Sequence, residues 1–404
     1  MSFNPGATIG VLGSGQLGRM FAFAAHRLGY RVCVFSPDSG TPAGQAADRE
    51  ITAPYEDKNA LRAFARRVDV VTVEFESIPL SAIEAVERIV PVRPGLNVLA
   101  TAQNRIAEKT TLQQLGLPVP EFAPVSCAAD IERFIDQAAD SRPVVLKSAS
   151  AGYDGKGQSI VNGKDDALEA LHRIGDPQAI VEAHVDFECE LSVVGARSVD
   201  GEIQCFGPIH NEHRDHILDV SVAPSDCLLP AVRAEAIEIT QMVLEQLEVC
   251  GVLCVEFFYT RDGRLLVNEI APRPHNSGHL TIEAATTSQF EQQVRAVCGL
   301  PLGSMQLLRP AAIANLLGEQ LMAKEPDWNS LLAWPTLKLH LYGKGIPRAG
   351  RKMGHMTATA SSSVVAESHV RGARRVLASH EMDRPVDPRA GRLSFSGEGK
   401  RHAN

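Results

Sequence analysis

The chain has 404 residues, of which 44% are hydrophobic and 22% are charged. That length exceeds what one ordinary core organises and predicts two or three domains, while the composition excludes wholesale disorder and a membrane protein. The net charge of -8 argues against binding to nucleic acid or anionic membranes and favours small-molecule substrates. The first residues lack the basic and apolar pattern of a signal peptide, so we expect a cytoplasmic protein.

The first hundred residues alternate β-branched segments with helix-like ones. Strands are predicted at 7–12, 30–35 and 68–75, and helices at 16–28 and 57–67. This alternation is typical of a parallel sheet with crossover helices, which makes residues 1–110 an α/β, Rossmann-like domain. Proline and glycine at 91–95 interrupt the pattern, and a helix predicted at 103–115 marks the domain boundary.

Residues 111–300 have strands in closer succession and are predicted to form an α+β domain. The predicted strands lie at 144–147, 180–185, 190–197, 203–209, 252–259 and 265–270, and the helices at 232–247 and 282–297. Short polar turns at 199–202 and 261–264 indicate antiparallel hairpins.

The remaining residues form a small carboxy-terminal domain and a tail. Strands predicted at 311–317 and 336–342 place a small capping sheet in residues 301–378. Residues 379–404 lose the apolar period and become rich in Pro, Arg, Gly, Ser and His, so we expect this segment to be disordered.

A glycine-rich turn, Gly-Ser-Gly-Gln-Leu-Gly at 13–18, follows the first strand and opens the first helix. Such a turn brings backbone N–H groups close to an anion. Three interpretations remain open: a substrate-contacting loop that includes Gly15, Gln16 and Leu17, a nicotinamide dinucleotide site, or a purely structural turn. A dinucleotide site also needs an acidic residue at the end of the second strand, where Asp38 follows only after Ser and Pro.

A second glycine loop, at 150–157, follows the predicted strand that ends on Lys147. Its glycines allow the backbone to fold over phosphates, and Lys147 and Lys156 offset the charge of a nucleotide. The alternative is a surface hairpin without a ligand. A strand lysine followed by such a loop favours a nucleotide lid.

Two carboxylates, Glu256 and Glu269, lie inside apolar strands. A buried carboxylate needs a cation or a donor. The turn at 260–264 pairs the two strands, and counting back from it places the two side chains near each other. Oxygen ligands at that spacing predict a Mg²⁺ site completed by nucleotide phosphates, and the alternative is a structural pairing with Arg or Lys.

These motifs resemble the ATP-grasp superfamily, and within it the N5-carboxyaminoimidazole ribonucleotide synthases of purine biosynthesis. The resemblance rests on residues 13–20, 152–158, 194–197, 268–279 and 350–355. His-Asn-Ser-Gly-His at 275–279 is its most specific part. The resemblance implies an ATP-grasp fold between an amino-terminal parallel-sheet domain and a small carboxy-terminal domain.

The resemblance also implies which residues bind ATP. They are Arg105, Lys147, Gly152, Tyr153, Asp154, Gly155, Lys156, Gly157, Gln158, Glu182, Ala183, His184, Val185, Glu190, His213, Asn268 and Glu269. In this assignment residues 182–185 form the adenine hinge, Glu190 holds the ribose, and Glu256 and Glu269 bind Mg²⁺. A solvated surface histidine is the alternative for His213.

The resemblance implies a second set of residues around the acceptor, 5-aminoimidazole ribonucleotide, and around bicarbonate. Tyr153, Asp154, Lys344 and Arg351 would contact the acceptor, in addition to the first glycine loop, and Arg273, His275, Asn276 and Lys344 would act in catalysis. Either His275 or Asp154 would handle protons. Ala271 stands where many ATP-grasp enzymes have Asn, and Asp215-His216 occupies a turn where glycine is expected.

The implied reaction is the ATP-dependent carboxylation of the acceptor amine through carboxyphosphate, by a homodimer. The nearest alternatives are a formate-dependent glycinamide ribonucleotide transformylase and a biotin carboxylase. A nicotinamide-dependent dehydrogenase or a noncatalytic nucleotide sensor would belong to other classes.

Overall fold

The computed structural model of the chain describes residues 1–137, 142–150, 157–226, 228–322 and 326–378. The described residues form three sheets with helices packed against them. Across these ranges, no helix combines the length and the apolarity that crossing a membrane requires.

The amino-terminal part is a parallel sheet with helices on both faces, as predicted. Its elements are β1 Thr8–Leu12, α1 Gln16–Arg27, β2 Arg31–Ser36, β3 Arg49–Thr52, α2 Lys58–Ala65, β4 Val70–Val73, α3 Leu80–Glu87, α4 Leu96–Ala102 and α5 Arg105–Gln114. The strand order is β3-β2-β1-β4, and each neighbouring pair is parallel. The adjacent residues Val11 and Leu12 are buried in two different apolar clusters, so both faces of the sheet are covered.

Helix α5 begins at a defined cap and presents charged residues to the interior. The Asn104 side chain accepts hydrogen bonds from the N–H groups of Ile106 and Ala107. Glu108 and Lys109 on this helix are only 3% and 1% exposed. Since buried charges require partners, this helix must face other polar groups.

A small antiparallel sheet follows, and it carries Lys147 and both ends of the second glycine loop. Its elements are β5 Phe122–Val125, α6 Ala128–Gln137, β6 Val144–Ser148, β7 Gln158–Val161, α7 Ala167–Ile174 and β8 Ala179–Ala183. The strand order is β5-β8-β6-β7. The apolar core under this sheet is shared with α6 and α7.

The central sheet is antiparallel and carries Glu190, His213, Glu256, Asn268 and Glu269 of the predicted site residues. Its first elements are β9 Phe187–Arg197, β10 Ile203–Cys205, β11 Ile209–Arg214, β12 Ile217–Ala223, α8 Pro230–Gln246, β13 Gly251–Thr260, β14 Leu265–Ala271, α9 Thr281–Ala284 and α10 Gln289–Cys298. The two predicted hairpins are present, because β9 pairs with β10 and β13 pairs with β14. At the β11–β12 turn, Asp215 and His216 have φ values of +50° and +64°, the region that favours glycine.

The carboxy-terminal elements extend the central sheet. They are β15 Ala311–Leu317, α11 Glu319–Met322, α12 Trp328–Leu332, β16 Leu337–Leu341, β17 Lys352–Thr359 and α13 Ser363–Ala378. The sheet order is β14-β13-β9-β11-β12-β15-β17-β16. The prediction of a separate capping sheet is therefore wrong. Strand β15 pairs with β12, for example through Val220 and Ala314, and so belongs to the central sheet.

Two predicted elements are interrupted in the structure. The strand predicted at 203–209 stops at Cys205 and restarts at Ile209, because Gly207 and Pro208 lie between and proline has no N–H for the ladder. The helix predicted at 282–297 breaks at Ala285, which forms an isolated bridge with Leu307, and Ser288 caps the next helix.

Candidate active site

The two carboxylates predicted from the strand pattern lie directly opposite each other on β13 and β14. Glu256 and Glu269 are paired in register. Glu256 Oε1 lies 2.8 Å from His275 Nε2, and Glu269 Oε2 lies 2.9 Å from Arg105 Nη1. The site thus joins α5, the central sheet and the segment that follows β14.

Glu269 is held in its ionised form. Burial would raise the pKa of its carboxyl, but the charge of Arg105 and its hydrogen bond, followed by the charges of Lys147 and His275, outweigh burial and lower the pKa. The guanidinium of Arg105 in turn has a raised pKa, since Glu269 and Glu108 outweigh the effect of its burial. An ionised carboxylate is the form that binds a hard cation.

The oxygen atoms at this site are suitable ligands for a Mg²⁺ ion that both the protein and the nucleotide would bind. Glu256 and Glu269 each offer carboxylate oxygens, which Mg²⁺ accepts alongside phosphate oxygens and water. The described part of the chain holds no group of three or more His, Cys, Asp or Glu side chains arranged around one ion. Glu256 and Glu269 would then be the protein ligands of the ion, and phosphate oxygens and water would supply the rest.

Glu182, Lys147 and Lys109 form a buried network of charges. Glu182 Oε2 accepts from Lys147 Nζ at 2.9 Å and lies 3.6 Å from Lys109 Nζ. Lys109 also donates to the carbonyl oxygen of Asn268 at 2.7 Å. Burial raises the pKa of Glu182, but Lys147 and Lys109 outweigh it and the pKa is lowered. The network holds the ammonium group of Lys147, on β6, against Glu182 on the neighbouring strand β8.

The rest of the predicted hinge continues from β8 into the linker before β9. Ala183 is the last residue of β8, and its N–H donates to the carbonyl oxygen of Glu121 at 2.8 Å. His184 and Val185 follow in the linker. This segment therefore connects the small sheet with the central sheet.

Glu190 and His213 are brought together from β9 and β11. His213 Nδ1 lies 2.7 Å from Glu190 Oε2. Burial lowers the pKa of His213, but the hydrogen bond and charge of Glu190, with the charge of Glu256, outweigh it and the pKa is raised. His213 is thus half-buried and paired, and the solvated-histidine alternative is wrong.

Three further polar residues, Asn268, Arg273 and Asn276, are close in sequence to Glu269. Arg273 forms a two-pronged ion pair with Glu76, in which Nη2 lies 2.9 Å from Oε1. Among the described residues, both amide atoms of Asn276 and the Oδ1 atom of Asn268 are buried without a hydrogen-bond partner. Buried amide groups without partners are costly, and a bound ligand would supply the missing contacts.

The first glycine loop is closed by a carboxylate that the sequence analysis did not identify. The N–H groups of Gly15 and Leu17 donate to Glu74, the second of these at 3.0 Å. A Cβ atom at Gly15 would lie 2.5 Å from Glu74 Oε1. Gln16 is the first residue of α1. Because a carboxylate already occupies these donors, this loop does not present them to the pyrophosphate of a dinucleotide.

Glu74 and Glu76 directly follow β4. They therefore lie at the edge of the parallel sheet formed by the carboxyl ends of its strands, which is where ligands commonly bind. Burial raises the pKa of Glu74, while the loop N–H groups, Arg273 and Lys344 act in the opposite direction. The alternating sequence Val-Glu-Phe-Glu at 73–76 was the available signal for both residues.

Lys344 and Arg351 lie on the loop between β16 and β17. Lys344 Nζ lies 5.6 Å from the centroid of the Tyr342 ring, and Arg351 Nη1 donates to the carbonyl oxygen of Ile346 at 2.8 Å. Gln45 Nε2 donates to the carbonyl oxygen of Gly343 at 2.9 Å, which ties this loop to the amino-terminal part. The charge of Lys344 acts on Glu74, so Lys344 lies near the Glu74 end of the site.

Part of the predicted lid lies outside the described residues, namely Gly152, Tyr153, Asp154, Gly155 and Lys156. Its last two members are described. Gly157 has a φ of +72° and its carbonyl oxygen accepts from Ser148 N–H at 2.7 Å. Gln158 Nε2 lies 3.0 Å from His216 Nδ1, in the β11–β12 turn.

Family models match three successive parts of the chain. A ribonucleotide synthetase preATP-grasp domain matches residues 6–103, an ATP-grasp domain matches 110–290, and a phosphoribosylaminoimidazole carboxylase carboxy-terminal domain matches 311–369. The predicted ATP-grasp fold with an amino-terminal parallel sheet and a small carboxy-terminal domain is confirmed.

Relatives and solved structures agree with these matches. The N5-carboxyaminoimidazole ribonucleotide synthase of Bacillus subtilis is 41% identical over 87% of this chain and 91% of its own. The ADP complex of an N5-carboxyaminoimidazole ribonucleotide synthetase has a TM-score of 0.86 at 38% identity, covering 93% of this chain and 98% of that one.

A third comparison shows a relative with both a nucleotide and an acceptor. The N5-carboxyaminoimidazole synthase of Aspergillus clavatus, in complex with ADP and 5-aminoimidazole ribonucleotide, has a TM-score of 0.83 at 31% identity over 92% of this chain and 99% of that one. The identities and the coverage extend across all three matched regions. The chain belongs to the N5-carboxyaminoimidazole ribonucleotide synthase family of ATP-grasp ligases.

Proposed function

We propose that this chain uses ATP and bicarbonate to carboxylate the exocyclic amine of 5-aminoimidazole ribonucleotide, giving N5-carboxyaminoimidazole ribonucleotide for purine biosynthesis. The single observation that carries the proposal is the register pairing of Glu256 with Glu269, held by His275 and Arg105. The names of the relatives supply the acceptor, and the ADP complexes among them support ATP as the phosphoryl donor.

The reaction has two bond-making steps. Bicarbonate is a poor electrophile because hydroxide is a poor leaving group. A bicarbonate oxygen first attacks the γ-phosphorus of ATP, the bond to the bridging oxygen breaks, and ADP and carboxyphosphate form. The acceptor amine then attacks the carboxyl carbon, or CO₂ released in place; inorganic phosphate leaves, and the amine gives up one proton.

The side chains divide the work between the two steps. Lys147 and Arg105 would bind ATP phosphates, and the 152–158 lid would exclude the water that destroys carboxyphosphate. Arg273 and Asn276 would contact bicarbonate. Mg²⁺, held by Glu256 and Glu269, would neutralise charge on the transferred phosphoryl group.

An ADP-release assay tests the function. Purified protein should release ADP when given ATP, 5-aminoimidazole ribonucleotide and bicarbonate, with release dependent on both acceptor and bicarbonate. Formate in place of bicarbonate, or glycinamide ribonucleotide in place of the acceptor, serves as the matched comparison. Release that requires formate would overturn the proposal in favour of a transformylase, and ATP binding without release would favour a nucleotide sensor.

Arg351→Ala should raise the KM for 5-aminoimidazole ribonucleotide about 10- to 100-fold, because a hydrogen-bonded charge on a phosphate contributes about 1.5–3 kcal/mol. The KM for ATP should change little. Arg348→Ala is the matched control, since Arg348 is an exposed arginine of the same loop. An effect confined to the KM for ATP would contradict the assignment of Arg351.

We also propose domains of residues 1–110, 111–300 and 301–378, a homodimeric assembly and a cytoplasmic location. The family models begin and end near the proposed boundaries. Light scattering of the purified protein would test the dimer, for which a monomeric mass is the contrary result.

A further inference from the structure

A chain of buried hydrogen bonds leads from the central sheet to His275. Ser221 Oγ lies 2.8 Å from Asn211 Oδ1, and Asn211 Nδ2 lies 2.9 Å from Ser192 Oγ. Ser192 Oγ lies 2.7 Å from Ser277 Oγ, which lies 2.8 Å from His275 Nδ1. The three serines are 0% exposed and Asn211 is 3% exposed, so bulk water does not replace these contacts.

The sheet register places this chain beside the carboxylate pair. Asn211 on β11 is directly opposite Ser221 on β12. Ser192 on β9 is directly opposite Glu256 on β13. Ser277 follows β14 in the turn that contains His275. Residues distant in sequence thus form one polar path on the face that carries Glu256.

The two ends of the path determine where the protons lie. In the 2.8 Å contact between Glu256 Oε1 and His275 Nε2, the carboxylate oxygen is the acceptor and the ring nitrogen is the donor. At the other end, Asn211 Nδ2 donates to Ser192. Ser192 can then direct its own proton to Ser277, and Ser277 its proton to His275 Nδ1, which gives each contact of the path one donor and one acceptor.

A second contact supports the same direction. The backbone N–H of Ser277 points at His275 Nδ1 at 3.4 Å, so two donors face this nitrogen. If the Asn211 amide were turned around, its oxygen would accept from Ser192, and the later hydrogen bonds of the path would also reverse. His275 Nδ1 would then have to donate to Ser277, although the backbone N–H of Ser277 already points at this nitrogen. The contacts on both sides of the ring therefore agree that Nε2 donates and Nδ1 accepts.

We propose that Ser221, Asn211, Ser192 and Ser277 are positioning residues that hold His275 as the Nε2–H tautomer, so that it orients Glu256 by donating a hydrogen bond. Outer groups that fix an imidazole in this way are a common support for metal sites. With Nε2–H on Glu256 and Nδ1 already accepting, neither ring nitrogen is free to take a proton from the acceptor amine. His275 is then an orienting group and not the general base. The role assigned to Glu256 rests on the proposed function, but the tautomer does not.

Nitrogen NMR of the full chain, labelled with ¹⁵N in the histidine rings, measures the tautomer directly. The chain has 13 histidines, and His275→Gln identifies the signals of His275. We expect a pyridine-type Nδ1 and a pyrrole-type Nε2. A pyrrole-type Nδ1, whether in the other neutral tautomer or in the imidazolium, would overturn the proposal.

Ser277→Ala should shift these signals toward a mixture of tautomers and lower kcat about tenfold, with little change in the KM for ATP or for the acceptor. Ser277→Thr retains the hydroxyl and should restore both readouts. Ser192→Ala, one residue further along the path, should have a smaller effect in the same direction, and it serves as the test if Ser277→Ala does not fold.

Ser198→Ala is the matched control, since Ser198 is also buried, with 4% exposure, and its hydroxyl accepts the N–H of Glu202 in the turn after β9. It should leave the His275 signals and kcat unchanged. Equal losses in Ser277→Ala and Ser277→Thr, or an unchanged tautomer in Ser277→Ala, would contradict the proposal. Absence of ADP release by the wild-type protein would defeat the proposed function alone, because the NMR measurement needs no substrate.

Discussion

Glu269→Ala is expected to lower ADP formation in the presence of acceptor and bicarbonate about a thousandfold. A metal carboxylate contributes several kcal/mol of charge stabilisation in the transition state, and each 1.36 kcal/mol changes the rate about tenfold. Glu269 is also ionised, and it is the residue of β14 that pairs with Glu256 of β13. No other described carboxylate occupies that position to replace it. The measurement is a coupled assay of ADP release at saturating ATP.

The alanine variant also leaves Arg105 without its 2.9 Å partner, which is a separate cost to stability. Glu269→Gln retains an acceptor for Arg105 but removes the charge. It should lose activity to a similar extent with a melting temperature closer to wild type. Glu238→Ala, at an exposed glutamate of α8, is the matched control. Near-normal turnover in both Glu269 variants would refute the metal assignment.

Glu182→Gln is expected to destabilise the fold by about 3–5 kcal/mol, the range for breaking a buried ion pair. The carboxylate lies between the ammonium groups of Lys109 and Lys147, and all three side chains are largely buried. Neutralising Glu182 removes the carboxylate that both ammonium groups contact and leaves these two like charges close to each other. Chemical unfolding followed by circular dichroism measures the difference.

An exposed pair provides the comparison for this variant. Glu169 and Arg173 on α7 are 78% and 58% exposed at their side chains and lie one helical turn apart, so Glu169→Ala should change the stability by less than about 0.5 kcal/mol. If Glu182→Gln costs no more than this control, the lysines do not depend on the carboxylate, and the network does not stabilise the fold.

The same network sets a direction for the pH dependence of stability. The pKa of Glu182 is lowered in the folded protein because Lys147 and Lys109 outweigh its burial. The contribution of Glu182 to the stability of the fold is therefore fully present above a pH of about 4.3, the pKa of a glutamate carboxyl in the unfolded chain. It is lost as the pH falls through the lower pKa of Glu182 in the folded protein. Glu182→Gln should remove this part of the acid sensitivity.

The local sequence patterns predicted the elements whose partners are close in the chain. The strand and helix alternation of the first hundred residues predicted the parallel sheet, and the turn at 260–264 predicted that Glu256 and Glu269 meet. Counting back from the turn brings Glu256 opposite Asn268, so the turn predicts that the two carboxylates are near each other. A register shift between Glu256 and Phe257 then pairs Glu256 with Glu269, and local counting does not predict that shift. The family motifs added the ATP-grasp fold.

The tertiary structure decided what depends on contacts between distant segments. Strand β15 has no local signal for its partner, and it joins β12 in the central sheet, where a separate capping sheet was predicted. Glu74 and Glu76 were not recognised, because their partners Gly15, Leu17 and Arg273 come from other elements.

The sequence by itself determined the chemistry that this protein carries: two glycine loops, a strand lysine and two strand carboxylates, each readable because periodicity and turns act over a few residues. Only the tertiary structure decided which buried charges satisfy one another. Lys109 and Glu182 are 159 and 35 residues from Asn268 and Lys147, and the sheet packing that joins them is a property of the whole chain. Burial makes each such group dependent on a partner, and the fold alone selects that partner.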